Sequence, residues 1–316
     1  MQAAVVNTLG LAPKYQSFPD PVAGEGERLI QVRAAGLHPI VKGLASGSHY
    51  ASGTEVPFVP GVDGVGILDD GSRAYFGFAR KPWGTMSERT VAPQSMCIPV
   101  PDGLDDVQAA AIANPGMSAW MSLKERGGLA AGETVLVLGA TGVAGQLAVQ
   151  VARHLGAKRV IGAGRNVEAI ASAGVDATIA LGQPDEAVRE AFTAAAATGI
   201  DVVIDYLWGR PTELLLEALA KGFKASATHR TRLIEVGDSA GKTIALAGAT
   251  LRSIDLTLLG SGFGSARLDR IFAAIPLLFS MAATGKLKIA VEPVPLAQVE
   301  AAWNRVEKGV RIVFTI

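Results

Sequence analysis

Residues 134–145 read Thr-Val-Leu-Val-Leu-Gly-Ala-Thr-Gly-Val-Ala-Gly, and this stretch decides the fold of the second half of the chain. Its apolar first part predicts a buried strand, and its glycines predict a tight turn. The residues that follow place Val143, Leu147 and Val151 at i, i+4 and i+8, a spacing that predicts a helix ending near Gly156. The order is therefore strand, glycine turn and helix.

The same turn predicts a site for the phosphates of a dinucleotide. Gly142 lets the backbone approach a pyrophosphate, and Gly145 lets the helix pack against the strand. The beginning of the helix offers free N–H groups and a partial positive charge. Ala140 takes the first glycine place of the strict Gly-x-Gly-x-x-Gly pattern, so an ordinary strand-to-helix turn is the alternative interpretation.

The choice of cofactor is predicted by the next strand. An NAD site carries an acid about 20 residues beyond the glycines, where it holds the ribose 2′-hydroxyl. Here the run 159–163 leads into Gly164, Arg165 and Asn166, and no acid is present. A guanidinium matches a phosphate with two parallel hydrogen bonds, which favours NADPH over NADH. The alternative is that Arg165 is a solvated residue at the start of a helix.

Apolar runs alternate with helical periods from about residue 134 to 260, which is typical of a doubly wound α/β domain with a parallel sheet. The runs lie at 135–138, 160–161, 202–204, 233–236 and 256–259. The first third of the chain contains short strand-like runs and is predicted to be β-rich. A further helix is predicted over 268–279, and a last strand over 310–314.

Composition excludes several classes of function. The 29 basic and 29 acidic residues balance, so nothing favours binding to nucleic acid or to an anionic membrane. Cys97 is the only cysteine, which excludes an internal disulfide and a cysteine-built zinc site. We see no signal peptide pattern in the first residues, and the apolar stretch 271–283 is too short to span a bilayer. A cytoplasmic globular protein is expected.

Several motifs in order carry a resemblance to a known family. They are Pro60–Gly66, Trp83–Glu88, Gly116–Trp120, Gly139–Gly145, Asp201–Asp205, Glu235–Gly237 and Leu258–Ser261. The sequence resembles the medium-chain dehydrogenase/reductase superfamily, and within it the zinc-free quinone oxidoreductase group. The resemblance implies a β-rich GroES-like catalytic domain over 1–113 and 263–316, and a doubly wound Rossmann domain for NADP over 114–262.

Zinc-binding members of this superfamily have a cysteine and a Gly-His-Glu sequence at their catalytic metal. This chain has Leu37-His38-Pro39 and Gly61-Val62-Asp63 at those places, and it lacks the lobe with four cysteines. Its four histidines do not cluster at the spacing of metal ligands. We therefore expect no metal and an apolar, zinc-free site.

Position by position, the resemblance implies a set of residues around NADPH. Ser118 would contact the nicotinamide side, and residues 140–144 would hold the pyrophosphate. Ala163, Arg165 and Asn166 would surround the adenosine phosphate, and Arg311 would close the site. The whole implied set is Ser118, Ala140, Thr141, Gly142, Val143, Ala144, Ala163, Arg165, Asn166, Leu207, Val236, Gly237, Ser261 and Arg311.

The substrate side departs from the family pattern, because His38 and Val41 replace an asparagine and an aspartate. Hydride transfer to a quinone or an enone builds negative charge on a carbonyl oxygen, which needs a hydrogen-bond donor. Tyr50, His38 and His49 are the candidate catalytic residues. A lid role for Tyr50, a buried backbone-bonded His38, and protonation by solvent remain alternatives.

The predicted activity is therefore NADPH-dependent reduction of a small quinone or α,β-unsaturated carbonyl. A zinc-free alcohol dehydrogenase-like enzyme and a catalytically silent NADPH sensor are the alternatives. The apolar run 255–259 should lie at the edge of the sheet, and pairing with a second copy there predicts a homodimer.

Overall fold

The computed structural model describes residues 1–221, 229–306 and 309–316. The chain forms two compact units, Met1–Asn114 with Ile275–Ile316, and Pro115–Ala274. The sequence prediction places the two crossings at 113/114 and 262/263. No helix in the described part of the chain is long and apolar enough to cross a membrane.

The strands are numbered along the chain. They are β1 Gln2–Val5, β2 Lys14–Ser17, β3 Glu27–Gly36, β4 Asp63–Leu68, β5 Arg73–Gly77, β6 Arg89–Pro93, β7 Cys97–Pro99, β8 Thr134–Leu138, β9 Arg159–Gly164, β10 Ala177–Ala180, β11 Val202–Asp205, β12 Thr231–Glu235, β13 Leu256–Gly260, β14 Ala290–Pro295 and β15 Val310–Thr315.

The described α-helices are numbered in the same way. They are α1 Pro39–Ser46, α2 Asp106–Trp120, α3 Val143–His154, α4 Val167–Ser172, α5 Asp185–Ala196, α6 Gly209–Lys221, α7 Gly248–Ser253, α8 Leu268–Ala283 and α9 Val299–Trp303. Gln94–Met96 and Leu296–Gln298 are 3₁₀ turns, and α2 continues into a π-helical turn over Met121–Arg126.

The second unit contains a parallel sheet of six strands in the order β10-β9-β8-β11-β12-β13. This order confirms the predicted doubly wound fold. Strand β11 is buried along its whole length, because helices cover both faces of such a sheet. Strand β13 lies at one edge, as predicted, whereas β10 at the other edge was missed by the sequence analysis.

The first unit is β-rich, also as predicted. A seven-stranded sheet has the order β14-β15-β3-β4-β5-β7, with β6 paired to β3, and β1 and β2 form a separate antiparallel pair. The last strand returns to this sheet, since β15 pairs with β3. One buried cluster, including Val5, Leu37 and Phe314, packs beneath these strands.

Candidate functional site

The glycine loop of the second unit has the geometry of an anion-binding turn. Gly139 has a φ of +88°, a conformation that glycine adopts without strain. Gly142 is exposed and stands at the N-cap of α3, and no side chain caps that helix. The N–H groups of the first turn, at residues 143–145, therefore remain open to a ligand.

Gly145 brings helix α3 close to the turn. A Cβ atom at this position would overlap the Gly139 carbonyl oxygen and would lie 2.8 Å from the Ala140 Cα atom. Ala140, in the first glycine place, is fully buried. The variant Ala-x-Gly-x-x-Gly pattern thus still gives a strand, a tight turn and a helix, the order found in dinucleotide-binding loops.

Arg165 and Asn166 follow β9 at the carboxyl edge of the same sheet. Arg165 is exposed, and no hydrogen bond or ion pair engages its guanidinium within the described residues. The Asn166 Oδ1 atom caps α4 by accepting the Ala169 N–H at 3.0 Å. Asn166 is therefore occupied as a helix cap, whereas the Arg165 side chain is available to a phosphate.

The end of β11 is held by the buried Asp205 carboxylate. This carboxylate accepts the backbone N–H groups of Leu207 at 2.8 Å and Trp208 at 2.9 Å. It also accepts the Thr212 hydroxyl at 2.5 Å. Burial raises the pKa of Asp205, although these three hydrogen bonds act in the opposite direction. Leu207, a predicted cofactor residue, is fixed in this way beside Gly139.

The ends of β12 and β13 are tied to their neighbours. The N–H groups of Val236 and Gly237 both donate to the Asp205 carbonyl oxygen, at 2.8 and 3.2 Å. The Ser261 N–H donates to the Glu235 carbonyl oxygen at 2.8 Å. Except for Arg311, the residues predicted to surround NADPH all belong to the second unit, and this sheet edge positions many of them.

Ser118 and Ser261 are linked through the π-helical turn. The buried Ser122 hydroxyl donates to the Ser118 carbonyl oxygen at 2.7 Å and lies 2.9 Å from the Ser261 hydroxyl. The Arg126 Nε atom donates to the Gly260 carbonyl oxygen at 2.9 Å. The turn therefore joins the end of α2 to the end of β13, and sequence periodicity gave no sign of it.

Arg311 lies in the first unit, on β15. It is 2% exposed, and its guanidinium donates to the Leu37 carbonyl oxygen at 2.6 Å. Arg311 is therefore hydrogen-bonded to the backbone of Leu37, the residue that precedes His38. Its role toward NADPH stays a prediction.

His38 belongs to a buried polar group that the sequence analysis did not foresee as a unit. His38 is 1% exposed, and Asp63 and Tyr75 are each 3% exposed. The Tyr75 hydroxyl donates to Asp63 Oδ2 at 2.9 Å, and His38 Nε2 lies 3.2 Å from Asp63 Oδ1. Burial and the Asp63 carboxylate together raise the pKa of Tyr75 well above its ordinary value.

His38 is buried, as the alternative interpretation has it, but no hydrogen bond joins its ring to the backbone of the described residues. Within the described chain neither ring nitrogen has an aligned hydrogen bond, although Nε2 approaches Asp63. The ring also lies against Gly36, where an added Cβ would be 2.7 Å from the His38 Cε1 atom. A signal for Asp63 existed in the Gly61-Val62-Asp63 motif, but nothing in the sequence indicated Tyr75.

Tyr50 and His49 lie beyond the other end of α1. Tyr50 is 77% exposed, and its ring centroid is 4.1 Å from that of His49. The His49 Nδ1 atom accepts the Ala51 N–H at 3.1 Å. His38 lies at the opposite end of α1, which has 8 residues and hence a length of about 12 Å. The structure therefore brings His49 and Tyr50 together but not His38.

A metal ion in a protein is held by a group of donor side chains. In the ranges 1–221, 229–306 and 309–316, no three His, Cys, Asp or Glu side chains are grouped to hold one. His38 and Asp63 provide two donors only, and a protein zinc site uses at least three.

Comparison with known proteins identifies the family. No protein-family model matches the chain. A probable NADPH-dependent quinone reductase, tdiC, of Emericella nidulans is 28% identical over 99% of each chain. The solved quinone oxidoreductase of Thermus thermophilus, also crystallised with NADPH, is 27% identical, covers 100% of both chains and has a TM-score of 0.78. The chain belongs to the medium-chain dehydrogenase/reductase superfamily, in its quinone oxidoreductase-like group.

A third relative of the chain is the prostaglandin reductase-3 of Bos taurus. It is 33% identical over 71% of the chain, which spans 58% of that protein's length. In the present chain, the imidazole of His38 lies 3.2 Å from the carboxylate of Asp63. The resemblance places metal ligands at these positions in zinc-binding members of the superfamily.

Proposed function

We propose that this chain is a zinc-independent, NADPH-dependent reductase of quinones or α,β-unsaturated carbonyls, acting by hydride transfer. The observation that carries the proposal is the glycine loop with an uncapped helix, followed on the next strand by a free arginine instead of an acid. The names of the relatives from Emericella nidulans, Thermus thermophilus and Bos taurus support the same cofactor and the same classes of acceptor.

The residues of the second unit fit the cofactor. The open N–H groups at 143–145 would bind the pyrophosphate, and Gly142 leaves room for it. Arg165 would pair with the 2′-phosphate, which NADH lacks. The Ser122 hydroxyl of the π-helical turn contacts the Ser118 carbonyl oxygen and the Ser261 hydroxyl, and we place the nicotinamide half beside these two residues.

When bound, NADPH supplies the hydride. The chain must then stabilise negative charge on the carbonyl oxygen of the acceptor and allow a proton to reach it. Of the three candidates, we favour Tyr50 as the hydrogen-bond donor, since its phenol is exposed while His38 is buried against Asp63. In the alternative mechanism, solvent supplies the proton to the acceptor and Tyr50 acts only as a lid over the nicotinamide.

Zinc independence is part of the proposal, and the donor set supports it. The described chain lacks three grouped metal ligands, and an imidazole–carboxylate pair stands at His38 and Asp63. Catalysis would then depend on hydrogen bonds in place of a Lewis acid.

We also propose that the protein is a homodimer that pairs along β13. This strand is at the sheet edge, and its residues Leu256 and Leu258 are only partly buried in one chain. An apolar edge strand of this kind favours pairing with a second copy. Light scattering at micromolar concentration would give a dimer mass, whereas a monomer would contradict the pairing.

The rate of NADPH and NADH oxidation by the purified protein tests the function. The acceptors are an ortho-quinone, a para-quinone, a 2-alkenal, a cyclic enone and a saturated aldehyde, each measured with and without a chelator. We expect turnover with NADPH and a quinone or an enone, unchanged by the chelator. Turnover limited to the saturated aldehyde would favour an alcohol dehydrogenase-like enzyme, and NADPH binding without turnover would favour a sensor.

The substitution Tyr50→Phe tests the donor. Loss of one hydrogen bond to a developing charge should lower kcat about 10- to 100-fold and leave the KM for NADPH unchanged. Tyr15→Phe, on the exposed strand β2, is the matched control. An unchanged kcat with both quinones and enones would remove Tyr50 as the donor.

A further inference from the structure

Tyr206 has a buried hydroxyl group with no established task. It is the first residue after β11, and its hydroxyl finds no hydrogen-bond partner in the residues that the structure describes. A phenylalanine would fill the same space without burying a polar atom, and an unsatisfied buried hydroxyl is unfavourable. Such a group calls for a partner that is bound from outside the chain.

The hydroxyl is suited to donate a hydrogen bond. Burial raises the pKa of Tyr206, so its phenol keeps its proton at any physiological pH. The neighbouring Ser118 hydroxyl acts on the same pKa in the opposite direction, without forming an aligned hydrogen bond. Two hydroxyl groups therefore lie side by side, and that of Tyr206 has no hydrogen-bond partner among the described residues.

Tyr206 lies among the elements that hold the cofactor in the proposed function. A Cβ added at Gly139 would be 3.4 Å from the Tyr206 Cβ atom, so the side chain begins next to the glycine loop. The Tyr206 carbonyl oxygen accepts the Ser239 hydroxyl at 2.8 Å, just beyond Gly237. The backbone of Tyr206 is thus fixed between the ends of β8 and β12.

The sheet order indicates which part of a dinucleotide would meet Tyr206. Strands β8 and β11 are neighbours although they are not consecutive, so they form the switch point at which dinucleotides bind. The half with β8, β9 and β10 carries Arg165 and faces the adenosine side. Tyr206 ends the first strand of the other half, which faces the nicotinamide mononucleotide.

We propose that the Tyr206 hydroxyl, beside that of Ser118, donates a hydrogen bond to the carboxamide oxygen of the nicotinamide of NADPH and so determines specificity at that end of the cofactor. The inference rests on the proposed use of NADPH. The carboxamide is a neutral acceptor, which matches a neutral buried donor, while the charged phosphates are attracted to α3 and Arg165.

Binding of nucleotides to the full chain tests this role without relying on turnover. In the Tyr206→Phe variant we expect the Kd for NADPH to rise about 2- to 13-fold, as for one neutral hydrogen bond. The Kd for 2′-phospho-ADP-ribose, which lacks nicotinamide, should stay unchanged. Tyr15→Phe is the control, and equal thermal midpoints establish that the variants are folded.

A thionicotinamide analogue of NADPH provides a second readout on the unmodified protein. Sulfur accepts hydrogen bonds weakly, so the wild type should bind the analogue several-fold more weakly than NADPH, and Tyr206→Phe should lose this discrimination. A wild type that binds both equally would overturn the inference even if the variant failed to fold.

Other outcomes separate this inference from the proposed function. Equal losses for NADPH and for 2′-phospho-ADP-ribose would show that Tyr206 only supports packing, and unchanged binding of both would show no contact. Either result overturns the role of Tyr206 while leaving the reductase activity in place. A wild type that binds NADPH but reduces no acceptor would contradict the proposed function alone.

Discussion

The two units of the molecule differ in the polar groups that surround their candidate site residues. In the second unit three hydrogen bonds satisfy the buried Asp205 carboxylate, but α3 has no side-chain cap and the Tyr206 hydroxyl has no hydrogen-bond partner in the described chain. In the first unit Asp63 accepts the Tyr75 hydroxyl and faces His38. We expect the unsatisfied groups beside the glycine loop to bind a ligand, whereas the Tyr75–Asp63 hydrogen bond holds two strands of the first unit together.

This difference assigns separate tasks to the two units. His38 precedes α1, Asp63 begins β4 and Tyr75 lies in β5, so their contacts connect three elements of the first unit. In the second unit the buried Asp205 carboxylate likewise holds the end of β11 to α6 through the Thr212 hydroxyl, whereas α3 has no side-chain cap. Substitutions in the two units should therefore affect different quantities, namely stability in the first and cofactor affinity in the second.

The largest effect is expected at the glycine loop. The Gly145→Ala variant should lose measurable NADPH binding and several degrees of thermal midpoint, since the new methyl group would overlap the Gly139 carbonyl oxygen. Gly142→Ala should lose NADPH affinity but keep its thermal midpoint, because its methyl group would lie 3.4 Å from the same oxygen. Fluorescence titration and thermal unfolding measure both quantities.

Gly103→Ala in the first unit is the control for these variants, since its added methyl group would have room, 3.7 Å from the Ala283 Cβ atom. Wild-type NADPH binding by Gly145→Ala would contradict the role of the loop.

A smaller effect is expected at Arg165. Its replacement by alanine should raise the Kd for NADPH about 10- to 100-fold, the effect of losing charge-assisted hydrogen bonds, and should leave the Kd for NADH nearly unchanged. Arg267→Ala, which removes a surface guanidinium paired with Asp269, is the matched control. Equal losses for NADPH and NADH would exclude Arg165 as the residue that selects the 2′-phosphate.

The smallest effect on the cofactor is expected at Tyr75. The Tyr75→Phe variant should lose about 1–3 kcal/mol of stability through its missing hydrogen bond to Asp63 and should bind NADPH as the wild type does. Urea unfolding and NADPH titration measure the two quantities. A large loss of NADPH affinity without loss of stability would contradict the division of tasks between the units.

The same variant gives a pH test with a definite sign. The raised pKa of Tyr75 in the fold means that its contribution to stability is complete below pH 10.0, the ordinary pKa of tyrosine, and is lost as pH rises further. Above that pH the wild type should lose up to about 1.4 kcal/mol more per pH unit than Tyr75→Phe. Parallel losses in both proteins would contradict the burial of this phenol.

The sequence predicted features that are encoded in one continuous segment. The strand, glycine turn and helix over 134–156 follow from local spacing, and the structure contains them with nearly the expected bounds. Strand β10 was missed because its four residues, Ala-Thr-Ile-Ala, contain a single large apolar side chain. Its position is decided by pairing with β9, which the chain pattern does not reveal.

The site features that the sequence did not predict are assembled from separate segments. The pairing of β4 with β5 brings Asp63 and Tyr75 together, and His38 approaches Asp63 from the residue that precedes α1. The π-helical turn depends on a shift in hydrogen bonding, in which Gly127 donates to the Ser122 carbonyl oxygen at 2.8 Å. Nothing in the sequence distinguishes Tyr206 from other aromatic residues at the end of a strand, because only the structure shows that its hydroxyl is buried without a partner among the described residues.

Amide hydrogen exchange of the full chain, with and without NADPH, tests most directly that the open groups of the second unit bind the cofactor. We predict that NADPH slows exchange at the first-turn amides of Val143, Ala144 and Gly145, and that the amides of β4 and β5 exchange as before. NADPH that binds without protecting residues 143–145, or that protects only the first unit, would contradict the account.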